Sequence, residues 1–154
     1  IKLKINVLVE GLKIPVGYHA HNNLGMAIAN SLTAIGRGAT IIDATTRGFG
    51  AGAGNTQLEV LVAILHKLGY TTGVDLPMLL EATKVIAKLK EPQLISPLSI
   101  MSGIHGVFSG FAPHVDRLSK EYKVSPSEVF KELGRRKVVA GQEDQILEVV
   151  MSLV

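Results

Sequence analysis

The first nine residues, IKLKINVLV, alternate apolar and polar side chains as a half-buried strand would. Ile1, Ile5, Leu8 and Leu12 also fall at helical spacing, so periodicity leaves this element open. Beyond it the pattern sharpens. Ile14 to His21 reads as a short buried strand. Asn22 or Asn23 can cap a following helix that carries Leu24, Ala27, Ile28, Ser31, Leu32 and Ile35 on one side and ends at Gly36 and Gly38. The unit then repeats. ATIIDAT (39–45) predicts a second buried strand and RGFGAGAGNT a glycine-rich turn, while Leu58, Leu61, Val62, Leu65 and Leu68 form the inner face of a helix closed by Gly69. Strand, helix, strand, helix with short connections is the pattern of parallel βα units, whose strands are covered on both faces.

From about residue 75 no strand run appears and helix signals follow one another. Asp75 can cap a helix with Leu76, Leu79, Leu80, Thr83 and Ile86 inward, and Pro92 and Pro97 bracket a loop. Gly103, Gly106 and Gly110, spaced by three and four, predict a helix with a thin face for close packing. SPSE (125–128) predicts a capping box between Ser125 and Glu128 with proline at the first helical position. Gly134 and Gly141 are expected to separate the last helices. The change of grammar falls between residues 70 and 92 and divides the chain into an α/β part, 1–74, and a helical part, 75–154.

Composition narrows the classes. In 154 residues, 47% are hydrophobic, enough for a packed core, and the surplus of +3 from 16 basic and 13 acidic residues is spread along the chain rather than gathered into a nucleic-acid-binding stripe. The chain has no cysteine, so any metal would be held by nitrogen and oxygen, as suits a cytoplasmic protein. No apolar run is long enough to span a bilayer. Opening at Ile1, the sequence reads as a fragment or a processed product.

The candidate chemistry lies in GYHAHNN (17–23). Residues two apart on a strand share a side and lie about 6.5 Å apart, so His19 and His21 can converge on one ion, with Gly17 leaving room beside them. The alternative is two partly buried imidazoles bonded to nearby backbone. An octahedral divalent ion would also need oxygen ligands from elsewhere. GFGAGAGNT (48–56) lacks the Lys-Ser/Thr of a phosphate loop, and there Asn55 or Thr56 could cap the next helix, or Asn55 could offer an amide oxygen to a metal. Asp43, alone in an apolar strand, is expected to be paired. His66, His105 and His114 read as isolated side chains, and Arg135, Arg136 and Lys137 as a solvated charged face.

Taken in order, GYHAHNNLGMAIANS, IIDATTRGFGAGAGNTQLEVLVA, LGYTTGVDL and ELGRRKVVAGQEDQI resemble the metal-dependent 4-hydroxy-2-oxovalerate aldolases over nearly the whole chain. The first half alone resembles the wider group of barrel lyases and synthases that includes hydroxymethylglutaryl-CoA lyase. The resemblance implies that His19 and His21 are two ligands of a divalent ion, usually Mn²⁺, on the seventh strand of a (β/α)₈ barrel, with 39–45 as the eighth and Asn55 near the same ion. It implies Lewis-acid cleavage of a 4-hydroxy-2-oxoacid to pyruvate and acetaldehyde, as in aromatic hydrocarbon catabolism. The helical part would contact an acylating acetaldehyde dehydrogenase within an oligomer. It would also put a helix at residues 1–7.

Two departures stand out. Such a barrel needs about 250 residues, and no stretch here matches the family's acidic ligand, arginine or catalytic histidine, so the chain alone is expected to be inactive. Phe108 in HGVFSGF stands where the family's active-site tyrosine is expected, which removes a hydroxyl that would position the substrate. The alternatives are a related acyl-CoA lyase or synthase, or a non-catalytic interaction module.

Overall fold

The computed structural model describes residues 1–88 and 93–154. Pro92, one of the expected loop brackets, lies outside them. The opening element is a helix, α1 (Lys2–Gly11), and the ambiguity of its pattern resolves for a packing reason. Ile5 and Val9, one turn apart, join Val16, Ala34 and Ala39 in a small core, whereas an extended chain would have no strand partner. Strands β1 (Gly17–His19) and β2 (Ile41–Asp43) pair in parallel with Gly17 opposite Ile41, Tyr18 opposite Ile42 and His19 opposite Asp43. Between them runs α2 (Ala27–Ile35), and α3 (Leu58–Lys67) follows the glycine-rich turn. The N-cap of α2 is Met26 rather than Asn22 or Asn23; Asn22 Oδ1 still accepts from Ala27 N at 3.2 Å, from a position before the cap.

The expectation of strands buried on both faces is corrected. Both strands are shorter than the apolar runs, Ile14 is 68% exposed and Ile41 52% exposed. Helices cover one face of the sheet, where Val16 and Ala20 are buried. The other, carrying Gly17, His19, Ile41 and Asp43, stays open because among the described residues no further strand curls around it. Leu24 and Leu68, expected inward, are 48% and 59% exposed, Leu24 because it precedes the helix. The unpaired sheet edges and the apolar face of Leu3, Val7 and Leu8 on α1 make self-association of the isolated chain an expected result. Sedimentation velocity at micromolar concentration checks it; a single sharp monomer would refute it.

Next come α4 (Leu76–Ala87), α5 (Pro97–His105), α6 (Ala112–Tyr122), α7 (Pro126–Arg136) and α8 (Asp144–Met151). Asp75 caps α4 as expected, accepting from Met78 N at 2.8 Å. None of α4's predicted inward residues is fully buried; among the described residues the helix packs mainly on α3 and the 3-10 turn at Thr46–Gly48. In contrast, α5 to α8 enclose a dense core in which Phe111, Val115, Val129, Phe130, Leu133, Ile146, Val149 and Val150 are each 0% exposed.

Three local expectations in this part are corrected. The capping box is not at Ser125, whose side chain makes no capping bond, but at Ser96, where Ser96 and Ser99 bond reciprocally at the start of α5. The helix through Gly103 does not reach Gly110. Gly106 adopts a left-handed conformation (φ 65°) that ends it, while Gly103, beneath Leu24 and Asn23, and Gly110, against the Phe108 ring, are the close-contact positions. Gly134 separates nothing; it lies inside α7, where a Cβ would meet the His105 carbonyl oxygen at 2.5 Å, so its small size sets how closely α5 and α7 approach. Arg135 and Arg136 both bond Glu132, holding its carboxyl down at about 2, and this exposed cluster contributes little to stability.

Candidate metal centre

Where β1 runs out, its last residues turn toward the helical part. The His19 and His21 rings lie 5.1 Å apart between centroids at an interplanar angle of 75°, so alternate residues of one extended segment do share a face. Asp43, directly across the sheet from His19, brings its Oδ2 to 3.4 Å from His19 Nδ1. The strand aspartate is thus paired, as its isolation in an apolar run suggested.

Asn55 reaches the same place from the glycine-rich turn. It bridges antiparallel to His21, and the flanking bonds Asn22 N to Gly54 O (2.8 Å) and Thr56 N to Ala20 O (3.2 Å) hold the two segments together. Neither Asn55 nor Thr56 caps α3. Thr56 is spent on a buried bond to Ser31 (2.9 Å), and Asn55 Nδ2 donates to the Phe49 carbonyl at 3.2 Å. That leaves Asn55 Oδ1 and His21 Nδ1 both buried and without a hydrogen-bond partner. Two buried, unpartnered polar atoms on bridged residues are costly unless something satisfies them, and a cation is one group that suits both an amide oxygen and a neutral imidazole nitrogen. The donors therefore fit a divalent ion bound by nitrogen and oxygen, though as a partial set. Among the described residues no three His, Cys, Asp or Glu side chains are placed to hold one.

Burial, and then the charge of His19, lower the pKa of His21 below the ordinary 6.5, which favours the neutral ring that can ligate. Phe108, from the segment after α5, packs edge-on against His21 at 6.3 Å and against Phe111 at 5.5 Å. The aromatic position singled out in the sequence is beside the histidines, and it brings no hydroxyl. A cleft of about 320 Å³ opens there between His21, Met26, Ser102 and Phe108. His66 instead bonds Thr72 at 2.9 Å, His105 lies against α7, and His114 is exposed on α6.

Sequence reading missed Asn23, weighed only as a cap. It is buried, donates to Ser109 Oγ (2.5 Å) and Ser102 Oγ (3.4 Å), and accepts from Ala53 N (3.3 Å), so it ties the histidine segment to the glycine-rich turn and to α5. The signal available was the pair Asn22–Asn23, too many amides for one cap.

A parallel βα pair with paired histidines at the strand's carboxyl end, followed by a helical unit, has the architecture of part of a parallel βα barrel. The chain belongs to the HMGL-like family, which residues 1–86 match, and residues 93–154 match the DmpG-like communication domain. It is 57% identical to the 4-hydroxy-2-oxovalerate aldolase of Pectobacterium atrosepticum over 99% of this chain and 45% of that protein. It is 56% identical to that of Spirochaeta aurantia over 97% and 45%. The chain thus spans less than half the length of these relatives. An HMG-CoA lyase from Acenitobacter baumannii, solved with coenzyme A and 3-methylmalate, superposes with a TM-score of 0.56 at 26% identity, covering 64% of this chain and 34% of that one. The fold is therefore a portion of an HMGL-like barrel with two parallel strands, followed by an all-helical communication domain. Among the described residues no helix is long and apolar enough to cross a membrane.

Proposed function

We propose that this chain is the C-terminal part of a divalent-metal-dependent aldolase that cleaves 4-hydroxy-2-oxovalerate-type acids to pyruvate and acetaldehyde. The observation that carries the reading is the 57% identity to such an aldolase running through both the barrel portion and the helical unit. His19 and His21 would hold the ion, usually Mn²⁺, with Asn55 Oδ1 as an oxygen donor. A bound divalent ion supplies Lewis-acid polarisation of a 2-oxoacid carbonyl.

The chain's own residues do the rest of what is proposed for it. Asp43 orients the His19 ring from across the sheet, as carboxylates beside ligating histidines do. Phe108 walls the site with an apolar ring and excludes water from His21, while giving the substrate alcohol no partner. The helical unit, taken from residue 75 onward, would dock an acylating acetaldehyde dehydrogenase in an oligomeric, cytoplasmic assembly. The test is pyruvate release from 4-hydroxy-2-oxovalerate by the full-length protein with Mn²⁺. Turnover that a chelator stops is expected, and a folded, Mn²⁺-loaded protein that releases no pyruvate would refute the assignment.

A second reading rests on the separate dense core of α5 to α8, which could serve as an interaction module without catalysis. Pull-down of the dehydrogenase by a protein that shows no turnover would favour it.

A further inference from the structure

Asn55 owes its orientation to a single peptide unit. The Phe49 carbonyl accepts from Asn55 Nδ2 at 3.2 Å and from Thr45 Oγ1 at 2.6 Å, and on the other side of the same peptide Gly50 N donates to Gln93 Oε1 at 2.7 Å. Gln93 Nε2 in turn donates to the carbonyls of Gly50 and Gly52, the latter at 3.2 Å. One side-chain amide thus reads both polar groups of Gly50, as a neighbouring strand would. The glycine is required there because a Cβ would meet the Asn55 amide atoms at 2.5–2.6 Å. An asparagine amide has two orientations of similar shape. With its nitrogen bound to Phe49, Oδ1 is left buried without a partner on the residue bridged to His21.

We infer that Gln93 is a positioning residue for the candidate metal centre: it pins the Phe49–Gly50 peptide, that peptide fixes the Asn55 amide, and the fixed amide presents Oδ1 beside His21. Gln93 is the first residue matched to the communication domain, so the helical unit completes a site whose histidines belong to the barrel portion. Polarisation along the chain Gln93, peptide 49–50, Asn55 strengthens each bond in it. The inference rests on the reading of Asn55 as an oxygen donor to a divalent ion.

The experiment uses the full-length protein with Gln93→Ala, Gln93→Met, Asn55→Ala and the double variant Gln93→Ala/Asn55→Ala. Gln93→Met retains the bulk and loses the bonds. Mn²⁺ affinity is followed by the loss of the free-ion electron paramagnetic resonance signal. In the metal-free protein, exchange of the Asn55 side-chain amide protons is followed by NMR. Either Gln93 variant is expected to weaken Mn²⁺ about tenfold or more and to speed Asn55 amide exchange by a similar factor. Once Asn55 is alanine, Gln93→Ala is expected to add nothing. A Gln93 effect that persists in full without Asn55, or unchanged Asn55 exchange with Mn²⁺ binding intact in the wild type, overturns the Gln93 proposal alone. Absence of Mn²⁺ binding by the wild-type protein overturns the metal reading and with it the purpose assigned to Gln93.

Discussion

Replacing His21 with alanine in the full-length protein is expected to weaken Mn²⁺ binding about a thousandfold, on the order of 4 kcal/mol, and to lower pyruvate release with it. The size follows from what the ring contributes. Its Nδ1 is buried and unpaired, so the unbound protein already carries the desolvation cost that binding an ion recovers. Removal of the ring also leaves Phe108 and His19 without their edge-on neighbour, which opens the site to water.

The pH dependence has a definite sign. Protons compete with the ion for imidazole nitrogen, and burial plus the nearby His19 charge push His21's pKa below 6.5. His21's share of the affinity is therefore complete above 6.5 and is lost as pH falls through the lowered value. Isothermal titration at a series of pH values measures both effects. Unchanged affinity in His21→Ala would remove the histidine from the metal site.

The second large effect lies far from the chemistry. Phe130→Ala is expected to cost about 3–5 kcal/mol, because the ring is 0% exposed and its removal opens a cavity among side chains that are themselves fully buried. A helical unit of this size has only a few kcal/mol in hand. Limited proteolysis should therefore cut within α5 to α8 first, with the barrel portion persisting longer, and Phe130→Leu should restore most of the resistance. Equal cleavage of both parts would show that they unfold as one.

Asp75, Gly69 and the face of Leu61, Val62 and Leu65 were legible from spacing alone, because capping and amphipathic burial are local to one element. The same holds for His19 and His21, whose shared face is a property of any extended segment. Illegible features depended on distant partners. Thr56 had the chemistry of a cap but bonds Ser31 across the fold, and Ser125 lost the capping box to Ser96. Asn23 looked like one more helix cap and is the buried link between three segments. Gly134 looked like a break and is a contact point inside a helix.

The sequence by itself therefore determined the two βα units, the spacing of the paired histidines and the change to an all-helical second part, since each is written in periodicity and short motifs. Only the tertiary structure decided which strand face stays open, that Asp43 meets His19, that Asn55 Oδ1 and His21 Nδ1 on bridged residues are left unpaired, and that Gln93 reaches back from the helical unit to Gly50. Hydrogen-bond satisfaction in a buried site is a joint property of segments tens of residues apart, and no local pattern records which of several capable donors will arrive there.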